Sequence, residues 1–217
     1  MSWDWNLAGH VVSPLLSGLK YTLGATVLGY LLALALGLVW AILRRSPNIV
    51  VNQVVRWVVE FIRSTPLLVQ LAFLFYALPE AGFQFSPFWT GVIGLGTHYS
   101  TYISEVYRAG IEDVPRGQWE ACTALNLPRR RVWFGVVLPQ AVRKVIPTLG
   151  NYLIALFKDT PLLLVITVPE MMSRATTEAG KAADYLEPLT MAAAIFVIVS
   201  VLSSVLIRRL EGRYATH

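Results

Sequence analysis

The sequence predicts an all-α integral membrane protein with five spanning helices. Residues 1–217 form a single transmembrane domain, with the N-terminus outside and the C-terminus in the cytoplasm. Three observations predict it. Hydrophobic residues make up 55% of the chain and charged residues only 14%, with a mean hydropathy of +0.56, well outside the range of a soluble domain of this length. The apolar residues gather in five runs of spanning length, about 19–43, 54–78, 88–107, 140–157 and 189–207. The basic residues are asymmetric: all but Lys20, Lys158, Arg174 and Lys181 of the 18 fall on one side, which the positive-inside rule makes the cytoplasm. The net charge of +5 therefore orients the chain in membrane lipid and marks no nucleic-acid-binding face. The single cysteine, Cys122, permits no internal disulfide. The opening MSWDWNLAGH carries an acid and two tryptophans where a secretory signal would carry basic residues, so no cleaved signal is expected.

The first span, Leu19 to Leu43, is roughly 37 Å long as a helix, enough to cross a hydrocarbon core of about 30 Å with some tilt. Ala33 and Gly37 lie four apart on one side of it, where a second helix could approach closely. Arg44 and Arg45 end it. In the second span Asn52, Arg56, Glu60 and Arg63 recur on one helical stripe, with Glu60 in reach of both arginines. Ser64-Thr65-Pro66 interrupts that span, because proline removes an amide donor and crowds the preceding turn. A break at membrane depth must line a cavity or meet protein, which makes Ser64, Thr65 and the following Gln70 candidates for a transport path.

The third span places His98, Tyr102 and Glu105 at spacings of four and three on one face. Such a face contacts either packed protein or a ligand. The three histidines, at 10, 98 and 217, have no cysteine or carboxylate at ligand spacing, so no metal is expected. No nucleophile motif, Walker loop or phosphate-binding glycine pattern occurs, so no catalytic residue and no cofactor are expected either. The fourth span carries Asn151, with Lys158 and Asp159 at its outer end, where they can pair or snorkel before Pro161 stops the helix. Residues 166–186 read as an external loop with short helices. The fifth span ends at Arg208 and Arg209.

Between the third and fourth spans lies the charged insert, its cytoplasmic part covering 108–139. Pro115 with Gly117 predicts a break, followed by a short helix from Gln118 to Leu125. Asn126 ends that helix by taking the left-handed conformation, and Pro128 prevents its continuation.

Glu120-Ala121-Cys122, Asn126 and Val136-Val137-Leu138-Pro139 resemble, in type and spacing, the EAA loop of binding-protein-dependent ABC importer permeases. Cys122 replaces an alanine of the family pattern and Asn126 a glycine, both mild changes. FIRSTPLLVQLAFLFYALP (61–79), HYSTYISEVYRAGIEDVPRGQWEA (98–121) and LGNYLIALFKDTPLL (149–163) resemble the polar amino-acid branch of these permeases, with wording similar to ectoine and hydroxyectoine permeases. The resemblance implies the type I ABC importer permease fold and a location in the bacterial cytoplasmic (inner) membrane. It implies as partners a pair of ATP-binding subunits, a second permease chain and an extracytoplasmic substrate-binding protein. It implies uptake of ectoine, hydroxyectoine or a similar small zwitterion, with a polar amino acid as the alternative. Arg116, Gly117, Glu120, Ala121, Cys122, Asn126, Leu127 and Pro128 would couple to the ATPase. Ser64, Thr65, Gln70, His98, Tyr102, Glu105, Asn151, Lys158 and Asp159 form the candidate substrate path. A channel or a membrane enzyme is the remote alternative.

Overall fold

The computed structural model describes the backbone of residues 3–214 and the side chains of residues 3–209; the expected cytoplasmic C-terminus, with His217, lies outside them. All regular structure among the described residues is helical.

Helix α1 runs Trp5–Leu43 and so begins well before the expected span. Asp4 caps it by accepting from the amides of Asn6 and Leu7. The extension is helical because Val11 and Leu15, one turn apart, pack on Met171, Ala175 and Ala192. At 39 residues, roughly 58 Å, α1 exceeds the hydrocarbon thickness of about 30 Å. Helix α8 (Met171–Ala182), in the region read as external loop, crosses α1 at Gly18. A Cβ there would come within 2.8 Å of the Met171 Cα, and the Met171 amide donates to Thr22 Oγ1 at 3.1 Å.

The second span is interrupted at Ser64-Thr65-Pro66, as expected, and the break is sharp. Helix α2 (Ile49–Ser64) and the helical stretch Leu67–Ala81, which starts with α3 (Leu67–Ala72), are bent by 100°. Thr65 is extended, as a residue before proline must be, and Pro66 cannot donate back into α2.

Helix α4 (Pro87–Glu112) is central, touching α1, α2, α3 and α7 (Leu138–Asp159). The Ala33 and Gly37 face is where α1 meets it: a Cβ on Gly37 would stand 2.8 Å from Ile103 Cγ2 and 3.0 Å from the Ser100 carbonyl. Many of α4's hydroxyls bond within their own helix, Ser100 to Thr97 O, Thr101 to His98 O and Ser104 to Thr101 O, which lets a polar helix sit inside an apolar bundle. The main core joins Leu71, Leu95, Ile103, Leu156 and Leu163. Among the described residues, three helical stretches are long and apolar enough to cross a membrane, within Trp5–Leu43, Arg129–Ile166 and Leu186–Arg209, and the bent pair makes a fourth if taken as one span. The last of these begins helix α9, Leu186–Tyr214.

Candidate functional site

The insert folds as a short exposed helix between two long ones. Helix α5 covers Arg116–Ala124, so it starts before Gln118 and takes Gly117 into its first turn, since Pro115 is well suited to the position just ahead of a helix. Asn126 has φ 53, the left-handed value expected of it. The Leu127 amide donates to the Cys122 carbonyl at 3.1 Å and the Asn126 amide to the Thr123 carbonyl at 3.0 Å, so these two carbonyls in the last turn of α5 are satisfied. Pro128 then caps the turn α6, Arg129–Arg131, which leads through a wide helical turn into α7. Cys122 is buried. Trp119 meets Trp133 edge to face at 5.6 Å, and Arg45, after α1, lies over Trp133 at 5.3 Å. These contacts anchor α5 to the bundle. Arg116, Gly117, Glu120, Ala121, Asn126 and Pro128 are exposed, and Leu127 is half-buried. Leu125 is 71% exposed and Phe134, nearby in the insert, 69%.

A groove of about 390 Å³ runs between α4 and α7, with Arg63 of α2 on its wall. It extends from Asp113 and Lys144, beside α5, to Tyr102 and Tyr152, whose rings stand 5.8 Å apart. Its charges are largely matched. Glu105 pairs with Arg44, at the end of α1, and with Arg108 at 2.8 Å; Arg108 also holds Glu112 at 2.8 Å. Lys144 pairs with Asp113 at 2.5 Å, and Arg63 with Glu60 at 2.7 Å, the one of Glu60's two expected partners that it takes. The guanidinium of Arg108 is held above its ordinary pKa by Glu105 and Glu112.

Of the candidate path residues, Tyr102 and Glu105 line this groove. Gln70 and His98 form a second group behind its aromatic end. The Gln70 side-chain amide donates to the carbonyls of Ile62 at 2.6 Å and Thr65 at 3.1 Å, two of the groups freed by the Pro66 break. Its oxygen lies 3.2 Å from His98 Nδ1. Because both backbone partners of the Gln70 nitrogen are acceptors, the oxygen must accept, and His98 Nδ1 carries the proton. Thr65 bonds its own helix at Phe61 O, 2.7 Å, and Ser64 is exposed.

Asp159 is not paired with Lys158: it accepts from the Tyr99 hydroxyl at 2.6 Å. Asn151 and Lys158, seven apart on one side of α7, are both exposed and stand outside this groove. One residue along a helix turns a side chain by about 100°, and the residues aimed inward are their neighbours Tyr152 and Asp159. Tyr99 and Tyr152 escaped the sequence reading. An aromatic among aliphatics carries no polarity signal; the one hint was the tyrosine-rich wording His98-Tyr99 and Tyr102.

Comparison with known proteins bears on this arrangement. The model of the family described as binding-protein-dependent transport system inner membrane component matches residues 33–216. A probable amino-acid ABC transporter permease of Sinorhizobium fredii (strain NBRC 101917 / NGR234) is 46% identical over 95% of this chain and 92% of its own. The glutamine transport system permease of Escherichia coli (strain K12) is 33% identical over 98% of both. The crystal structure of an amino acid ABC transporter with histidines superposes with a TM-score of 0.93 at 31% identity, covering 98% of this chain and 100% of that one. An inward-facing methionine ABC transporter, at 17% identity and a TM-score of 0.74, shares the fold over 94% of this chain and 97% of that one.

Proposed function

The chain belongs to the family of binding-protein-dependent transport system inner membrane components, and from that premise we propose that it is the permease through which a polar amino acid enters the cell. Membership makes it a transport subunit of an ABC importer in the inner membrane, with ATP hydrolysis on a separate partner chain and an extracytoplasmic binding protein delivering the ligand. The relatives named above are permeases for amino acids, which supports that class of solute over ectoine.

The observation that carries the reading is the groove between α4 and α7, with Arg63, Glu105, Asp113 and Lys144 on its wall. Its wall carries groups of both signs, paired with one another in this state, together with two tyrosine faces, and exchange of those pairs for a ligand would suit a zwitterion with one carboxylate and one ammonium. In this reading two copies or paralogues of the permease enclose the path, five spans hold it with the N-terminus outside, and α5 docks on the ATPase. Closure of the ATPases then moves α5, and the Trp119–Trp133–Arg45 contacts carry that motion to the end of α1.

Uptake by proteoliposomes containing the permease, its ATPase and its binding protein tests the solute. Labelled glutamine, arginine, histidine or cystine is expected to accumulate on ATP addition; accumulation of ectoine alone would reverse the choice. Tyr102→Leu is expected to raise the half-saturating concentration at least fivefold with assembly intact. For the topology, single cysteines at Ser86 and Gln118 in a Cys122→Ser background should react with an impermeant maleimide from opposite sides.

A further inference from the structure

Two stretches of the chain share the wording Thr-Pro-Leu-Leu: Thr65–Leu68 and Thr160–Leu163. The first interrupts a long helix, and the second tightens the end of one. The first is the 100° bend, and the second turns the end of α7 into a tighter helical turn, Thr160–Ile166, that closes on Thr167 at φ 61. The two breaks meet in space: α3 packs on the turn Thr160–Ile166, and Leu67, Leu71, Leu163 and Ile166 share one core cluster.

Each break is also held by a side chain of α4, and the two holding residues are adjacent. His98 donates to Gln70, which satisfies the carbonyls at the first break. Tyr99 donates to Asp159, the residue that leads into the second. The rings of Tyr102 and Tyr152 lie next to this pair, Tyr102 at 5.4 Å from His98 and Tyr152 at 6.3 Å from Tyr99, and both rings line the groove.

We propose that His98 and Tyr99 are a double latch: by holding the two proline breaks at Gln70 and Asp159 they keep the aromatic end of the groove shut, and the latch must release for that end to open. The inference rests on the groove being the path. Alternating access requires each end to open in turn, and a helix already broken at proline can move there without losing an intrahelical hydrogen bond. The contacts that oppose that movement are then side-chain bonds, and α4, central to the bundle, is placed to make both. Gln70, His98, Tyr99 and Asp159 thus act as positioning residues and need not touch the solute.

The complete transporter, reconstituted with its ATPase and binding protein, tests this. Tyr99→Phe removes one hydroxyl and keeps the ring; His98→Phe removes the donor to Gln70, and His98→Gln restores one. Tyr99→Phe and His98→Phe are each expected to raise the unstimulated ATPase rate at least threefold and to lower its stimulation by loaded binding protein, with the KM for ATP and the yield of assembled complex unchanged. His98→Gln is expected to return the rate to within twofold of the parent. Parental unstimulated rates in both Phe variants would overturn the latch. So would failure of Tyr99→Phe and Asp159→Asn alike to assemble, because the bond would then be a folding contact. The groove is judged separately: a bulky maleimide on Thr148→Cys, in a Cys122→Ser background, should block uptake. Unimpaired uptake after full modification would remove the path reading, whatever the ATPase rates show.

Discussion

The inner faces of α4 and the outer face of α5 are both polar, yet they use polarity in opposite ways. On α4, hydroxyls bond back to their own helix, His98 and Tyr99 reach the two helix breaks, and Glu105 sits between two arginines. On α5 the buried side holds Cys122 and Trp119, while Glu120, Ala121 and the 71%-exposed Leu125 face outward. Helix α4 finds its partners within the chain, whereas much of α5, Leu125 included, is exposed. Substitutions around α4 and the outer helices should therefore act on folding, and substitutions on the open face of α5 should act on transport with folding preserved.

The largest effect is expected where α1 meets α4. Gly37→Leu forces a side chain against Ile103 and the Ser100 carbonyl, and should cost about 3 kcal/mol, seen as loss of most of the folded complex in a thermal stability assay. Gly9→Ala, where an added Cβ meets nothing within 4 Å, should cost nothing. Equal losses in both would show that helix contact does not set the difference.

Next comes the outer scaffold, where Glu170 caps α8 with its side chain fully buried. Burial pushes its carboxyl up to about 7, against the opposing pull of the Met172 and Ser173 amides. A raised folded-state pKa means that the folded form binds the proton more tightly than the unfolded chain. The contribution is present below pH of about 4.5 and is lost as pH rises through about 7, of order 2 kcal/mol in all. Purified complex should melt at a higher temperature at pH 5 than at pH 8, and Glu170→Gln should flatten that difference; an unchanged slope would clear Glu170 of the effect.

On α5 the expectation changes character. Glu120→Lys should lower ATP-driven uptake and substrate-stimulated ATPase activity at least tenfold together, with the yield and melting temperature of the permease pair unchanged. Normal stimulation would take Glu120 out of the coupling role. The smallest effect belongs to the cap. Asn126→Gly keeps the left-handed conformation and should remain within about 0.5 kcal/mol of the parent, whereas Asn126→Val should lose about 1–2 kcal/mol of local stability, measurable as faster amide exchange in α5.

Much of this was legible in the sequence for identifiable reasons. The break at Pro66, the cap at Asn126 and the short exposed helix between Pro115 and Pro128 follow from backbone chemistry that acts within a few residues. The membrane character follows from composition, and the close face of α1 from the spacing of Ala33 and Gly37. Pairings between distant helices were decided only by the tertiary structure. The sequence placed Gln70 and His98 as polar residues on a path, and the fold joined them to each other and to the Ile62 and Thr65 carbonyls. Lys158 and Asp159 stood ready to pair as neighbours, but the packing of α7 on α4 gave Asp159 to Tyr99 and left Lys158 exposed. The expected first span began at Leu19, and the turns before it are helical because α8 and α9 cover Val11 and Leu15. The physical reason is common to all three. A side chain's polarity fixes that it needs a partner or an apolar neighbour, while which partner it meets depends on how helices far apart in the chain come to lie side by side.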